Sequence, residues 1–361
     1  MAFDGELLVV LWAEVGPDPT PWEARPGPAS EEDPTWLGIE RGLPAILTAL
    51  SRFRDDDGAR PKVTWCLRAD ESVGRPLGRP DALFLRFEKT WDRVRSEGDE
   101  IGWNPHLLRY IAGRGWGYEI EDRGWVREML TETWDEVKRH GVRSVRHGSG
   151  YADPEIMSLM EAFGLAVDGT ARPGVLRPAG TGPAVNWRGT PARPYHPSPA
   201  DPRTPGEMRL LETPAAVLLT RHPRTKTRRL AVWNPLRRQP GLETGLHKLT
   251  GAGSPAVLSA AFRPVEAYDR LAWRAGFGRG LRMGLDSIWL GFGLRFLERH
   301  LRLVDAVRKR YNYRLRFLTA GELADWWIER ESLDERSDPG TVAGGSRGAR
   351  FSFDQPPPRA L

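Results

Sequence analysis

Short apolar runs alternate with amphipathic helical patterns along most of the chain. Leu7-Leu8-Val9-Val10-Leu11-Trp12 is continuously apolar, as expected of a parallel strand buried on both faces. A Pro-rich stretch follows, from Gly16 to about Pro34. Residues 38–53 carry a helical pattern, with Ile39, Leu43, Ile46, Leu47 and Leu50 on one side, and Asp55-Asp56-Asp57-Gly58 ends it with turn chemistry. Residues 63–67 predict a second strand, 81–97 a helix and 100–103 a short strand.

The alternation continues. Residues 122–140 predict a helix that stops at His140-Gly141, and 142–146 a strand. Asp153 is placed as N-cap of the next helix, with Pro154 at its first position, and the helix ends at Gly164 before a strand at 165–167. This strand–helix repeat indicates a parallel α/β fold. Residues 171–208, rich in Pro, Gly and Arg, read as a long excursion. Further strands are expected at 216–219, 230–233, 256–262 and 313–318, and helices at 287–309 and 320–329. The tail from about Ser332 has the composition of a disordered segment.

Composition changes this picture little. The 361 residues are 40% hydrophobic and 28% charged, enough for a sizeable core. The fifteen Trp suit either core packing or carbohydrate stacking, and packing is the commoner use. The net charge of +5 is well mixed, so no nucleic-acid partner is expected. The densest basic run, residues 221–229, reads as a solvated loop, with polyanion binding as the alternative. Cys66 is the single cysteine, which excludes an internal disulfide framework and a Cys-based zinc cluster. No basic segment precedes an apolar stretch at the N-terminus, and no apolar run reaches membrane-span length. A cytoplasmic location is therefore expected. Nucleotide loops and a Gly-x-Ser-x-Gly elbow are absent.

Three segments together resemble the polysaccharide deacetylase (NodB-homology, carbohydrate esterase) superfamily. Residues 9–18 are similar to its first-strand motif, which ends in an acidic pair. Glu97-Gly98-Asp99-Glu100-Ile101-Gly102-Trp103-Asn104-Pro105-His106 resembles its second motif. Ser144-Val145-Arg146-His147-Gly148, with the helix from Met157 to Phe163 and the run from Gly164 to Thr170, looks like its third. Phe317 to Leu323 resembles the closing strand and helix. The resemblance implies an irregular (β/α) barrel of about seven parallel strands over residues 1–330, followed by a disordered tail at 331–361.

The same resemblance implies a divalent metal, zinc above all, that activates water against an acetyl group. Glu14 then falls where the family has an acid and would serve as base. Asp18 and His106 would hold the metal, and Arg146 would stabilise developing charge. Asp168, at a strand end, is a further catalytic candidate, while Asn104, Trp103, Asp70, His147 and His196 are candidate substrate contacts. Two departures stand out. Asn104 occupies a metal-binding His position, and Arg263 replaces the His of a later motif. Two readings follow: a carbohydrate deacetylase acting on acetylated glycans, or an inactive deacetylase-like barrel that binds a glycan or a partner enzyme.

Overall fold

The structure, a computed structural model, describes residues 3–17, 36–113, 115–180, 182–221, 228–251, 254–268 and 293–337. The chain divides into two compact units, Met1–Ala324 and Asp325–Leu361. In chain order the first strands are β1 (Gly5–Val15), β2 (Val63–Arg68), β3 (Glu100–Asn104), β4 (Leu108–Ile111), β5 (Gly115–Tyr118), β6 (Ser144–Val145) and β7 (Val167–Asp168). Then come β8 (Leu176–Arg177), β9 (Val185–Asn186), β10 (Leu211–Glu212), β11 (Val217–Arg221), β12 (Arg228–Val232), β13 (Ala256–Phe262) and β14 (Tyr313–Leu318).

Seven parallel strands lie side by side in the order β10-β7-β6-β3-β2-β1-β13, curled into a half-barrel with helices outside. This is the α/β barrel architecture expected from the sequence. β1 is its longest strand. One edge pairs with β13 from Leu7 to Ala13. The other is divided: Gly5–Val10 pairs with β14, and Leu11–Val15 with β2. The fork is closed by the start of the final helix, which runs from Ala320 to Ser337. Its first amides are received by side chains of the neighbouring strands, Ala320 N donating to Thr64 Oγ1 and Gly321 N to Glu100 Oε2. At the far side the chain beyond β10 reaches β13, where Ala216 N donates to Ser259 O.

Strand alternation sorts the side chains. Leu7, Val9, Leu11, Ala13 and Val15 of β1 face the helices and join the main hydrophobic cluster, with Trp65, Leu67, Ile101 and Trp103 from the next two strands. The intervening positions face the barrel interior. There Trp12 Nε1 donates to Ser259 Oγ, and the ring lies against Gly169 on the opposite wall. Trp12, Trp65, Trp91, Trp103, Trp187 and Trp233 are among the largest fully buried side chains, so these six tryptophans pack the protein.

Several expected elements hold with altered bounds. The helix read at 38–53 is a π-turn at Gly38–Gly42 followed by an α-helix at Leu43–Leu50. The helix at 81–97 is broken at Phe87 into Ala82–Arg86 and Glu88–Ser96. The strands read at 216–219 and 230–233 pair with each other as an antiparallel hairpin outside the main sheet. The tip of that hairpin, most of the basic run 221–229, lies outside the described residues. The last helix continues to Ser337, past the expected start of the tail. Within the second unit Trp327 Nε1 donates to Glu331. No described helix is long and apolar enough to cross a membrane.

The Asp55–Asp57 turn has a further use. Asp55 Oδ2 accepts from Phe317 N and Asp56 Oδ2 from Leu315 N, so carboxylates occupy backbone donors that β14 would otherwise offer at the sheet edge.

The close approach at Gly169 gives a direct test. A Cβ there would lie 2.6 Å from the Trp12 ring. Gly169→Ala is expected to destabilise the fold by about 1–3 kcal/mol through overpacking, measured by urea denaturation.

Candidate functional site at the carboxyl rim

Because the strands are parallel, their C-terminal ends form one rim, the edge where barrel proteins build their sites. Glu14, Arg68, Asn104, Asp168 and Glu212 sit at or next to the ends of β1, β2, β3, β7 and β10, and Arg146 and Arg263 immediately follow β6 and β13. The centre of this ring is an ion pair. Arg146 Nε donates to Glu14 Oε1 at 2.9 Å, joining residues 132 positions apart. Arg146 is 1% exposed. Its guanidinium also donates to Gly169 O, and its own carbonyl accepts from Asn104 Nδ2. Arg263 Nε stands 3.7 Å from the other Glu14 oxygen. Burial would raise the Glu14 pKa, but the charges of Arg146, Arg263 and Arg172 outweigh it and hold the carboxyl below its usual range.

A second cluster has the opposite electrostatics. Asp168 and Glu212 are cross-strand partners on β7 and β10, and both are fully buried. Asp168 Oδ1 accepts from Thr170 N and Thr170 Oγ1, and Glu212 Oε1 accepts from Ala171 N. Asp168 Oδ2 and Glu212 Oε2 have no hydrogen-bond partner. Burial pushes Asp168 up to about 7 against the pull of Thr170 and Arg146. Burial and the Asp168 charge push Glu212 well up as well. The two carboxyls therefore retain a proton toward neutral pH, while Glu14 stays ionised.

This architecture has a counterpart among solved structures. A protein from Parabacteroides distasonis, provisionally described as a glycoside hydrolase/deacetylase, superposes with a TM-score of 0.54 at 14% identity, over 91% of this chain and 72% of that one. The fold is that of a deacetylase-type barrel. A provisional polysaccharide deacetylase from Mycobacterium smegmatis matches with a TM-score of 0.47 at 12% identity, over 92% of this chain and 94% of that one. No protein-family model matches the sequence, and no curated protein does.

Within the deacetylase-type barrel, the residues singled out from the sequence fall into three groups. Glu14, Arg146 and Asp168 come together at the rim, as do Asn104 and His106. Asn104 Oδ1 lies 3.2 Å from His106 Nε2, and the His106 ring packs against Gly148, where a Cβ would collide with it. His147 is next to this cluster and 1% exposed, with neither ring nitrogen hydrogen-bonded; burial lowers its pKa to about 4, so it is neutral.

Other candidates are placed elsewhere. Trp103 neighbours Asn104 on a strand, so it must face the opposite side. Its ring packs on Trp134 and Phe163, its Nε1 donates to Ala69 O, and no ring surface remains for a sugar. Asp70 is the N-cap of helix Glu71–Leu77. Its two oxygens take up Ser72, Arg68 Nε and the His106 amide, so it clamps the rim from behind. His196 is half-buried with Nδ1 toward Leu210 O. Asp18 lies outside the described residues.

Glu212 and Arg172 were not singled out from the sequence. The strand carrying Glu212 has only two residues, too short for periodicity to register. Its signal was the run Leu210-Leu211-Glu212, which ends in an acid as β1 does with Ala13-Glu14.

The described donors do not fit a divalent metal. Among the described residues no three His, Cys, Asp or Glu side chains converge to hold one. The Glu14 carboxylate is committed to guanidinium groups, and the Asn104 amide is held by Arg146 and His106. A positive field from Arg146, Arg172 and Arg263 opposes a cation at this point.

The buried acid pair makes a pH prediction. The folded-state pKa of Asp168 lies above its ordinary value of 3.8. The folded form thus binds the proton more tightly, and that advantage is full below about pH 4 and lost as pH rises through about 7. Asp168→Asn removes this dependence. The variant is expected to gain stability relative to wild type between pH 4 and pH 8, by on the order of 4 kcal/mol, in urea melts at both values. A difference that does not change with pH would mean that Asp168 is ionised throughout.

Proposed function

We propose that this chain is a carbohydrate-binding barrel of deacetylase type, whose carboxyl rim receives a glycan without metal-assisted removal of acetyl groups. The observation that carries the reading is the Glu14–Arg146 ion pair, faced by Arg263. A carboxylate held ionised by two guanidinium groups is a weak base, because its pKa lies far from working pH. Arg263, at the position of the family's later histidine, brings positive charge where a general acid or a metal would need room.

A carbohydrate ligand is supported by the fold likeness to a glycoside hydrolase/deacetylase. It is also supported by the polar make-up of the rim, where Asn104 and Asp168 neighbour the ion pair and His106 contacts Asn104. Buried polar groups with unmet hydrogen bonds, such as the His147 ring and Asp168 Oδ2, suit a ligand rich in hydroxyls.

The test is a calorimetric zinc titration of chelator-stripped protein beside His106→Ala, paired with an acetate-release assay on N-acetylated chito-oligosaccharide. No stoichiometric zinc site and no acetate are expected. Tight one-to-one zinc binding that His106→Ala abolishes, together with acetate release, would overturn the proposal in favour of a metal-dependent deacetylase.

A further inference from the structure

Among the described residues, Arg172 is a rim guanidinium whose placement neither the Glu14 ion pair nor Asp70 explains. It follows β7 by four residues, and its head lies flat over Gly150, where a Cβ would come within 2.6 Å of Cζ. Gly150 is fixed in turn: its carbonyl accepts from Trp187 Nε1, and its φ of +71° is one that glycine adopts readily. Arg172 Nε is buried and makes no hydrogen bond. The charges it senses are Glu14, which Arg146 already neutralises, and three further cations, Arg146, Arg177 and Arg263. Burial and the Arg146 charge lower its pKa to about 10, which still leaves it cationic at neutral pH. Arg177 closes the same side, donating to Ser149 O.

Three guanidinium groups thus surround one carboxylate. The neighbouring acids do not redress the balance, since Asp168 and Glu212 retain a proton toward neutral pH. Arg172 is half-buried with its Nε shielded from water, and holding a guanidinium there beside other cations is unfavourable unless an anion is supplied. A planar, five-donor guanidinium is the group best suited to grip a carboxylate or a phosphate.

We propose that Arg172, with Arg146 and Arg263 beside it, forms an oxyanion subsite at the carboxyl rim that selects acidic carbohydrates, those carrying a carboxylate or a phosphate. The inference rests on the glycan-binding reading above and narrows its ligand class. Arg146 is taken up by Glu14, and Arg172 supplies a guanidinium whose Nε makes no hydrogen bond. The loop from His147 to Gly150 follows Arg146 and ends against the Arg172 head.

The test is calorimetry on the full chain with three probes: digalacturonate, glucose 6-phosphate and the neutral disaccharide N,N′-diacetylchitobiose. Wild type, Arg172→Lys and Arg172→Met are compared, with the thermal midpoint of each recorded without ligand. At least one acidic probe is expected to bind about tenfold or more tightly than the neutral one. Arg172→Met is expected to lose that preference, Arg172→Lys to keep part of it, and the ligand-free midpoint of Arg172→Met to hold or rise, since a half-buried charge among other cations has gone. Whether the carboxylate or the phosphate probe responds identifies the oxyanion. Equal binding of acidic and neutral probes, unchanged in Arg172→Met, overturns the oxyanion subsite and leaves the glycan reading standing. A falling midpoint in Arg172→Met with the acidic preference intact assigns Arg172 a structural role and also overturns the subsite. Binding of no probe by wild type overturns the glycan reading and the subsite with it.

Discussion

Arg146 reaches across the barrel interior to Glu14 and organises what lies around it. Through its side chain and carbonyl it engages β1, the end of β3 and the segment after β7, so elements far apart in the chain meet on one residue. A buried pair of this kind gains little net stability over a hydrophobic substitute, because both charges lose their hydration. What it supplies is register. The guanidinium needs its acceptors at fixed directions, and Glu14, Gly169 and Asn104 provide contacts only if the strand ends stand at the observed heights.

The rest of the rim follows from the field that this pair sets up. Glu14, among guanidinium groups, stays ionised, while Asp168 and Glu212, a few strands away and enclosed, do not readily give up their last proton. His147, buried where it senses Asp153 and His106, is neutral. One ring of side chains therefore holds ionised, shared-proton and neutral groups within the same edge. The metal chemistry implied by the motif resemblance needs the acids free and the field negative. The described rim has its first acid occupied and its field positive, which is the physical reason the glycan-binding reading is preferred.

Legibility in the sequence depended on element length and on alternation. β13 and β14 were readable to the residue, and β1 at its apolar centre, residues 7–12 within Gly5–Val15. β6, β7 and β10 have two residues each, and the last two carry the buried acids Asp168 and Glu212. Glu212 gave no periodic signal for that reason, while Asp168 was visible at a strand end within the third motif likeness. Trp103 shows the second limit. Its neighbour Asn104 faces the interior, so alternation alone turns the indole toward the helices, against Trp134 and Phe163. Asp70 shows a third: a carboxyl just past a strand end can serve the rim or cap the next helix, and Ser72 settles it as a cap.

By itself the sequence determined a parallel α/β chain with apolar strands buried on both faces, because period and composition are local properties. It also determined that acids, an arginine and histidines fall at strand ends, since each strand announces where it stops. The tertiary structure alone decided which of these meet. Glu14 and Arg146 are 132 residues apart, and Asp168 and Glu212 lie on strands whose pairing no local pattern encodes. Charge state at the rim depends on those long-range neighbours and on burial, and neither exists until the sheet has curled.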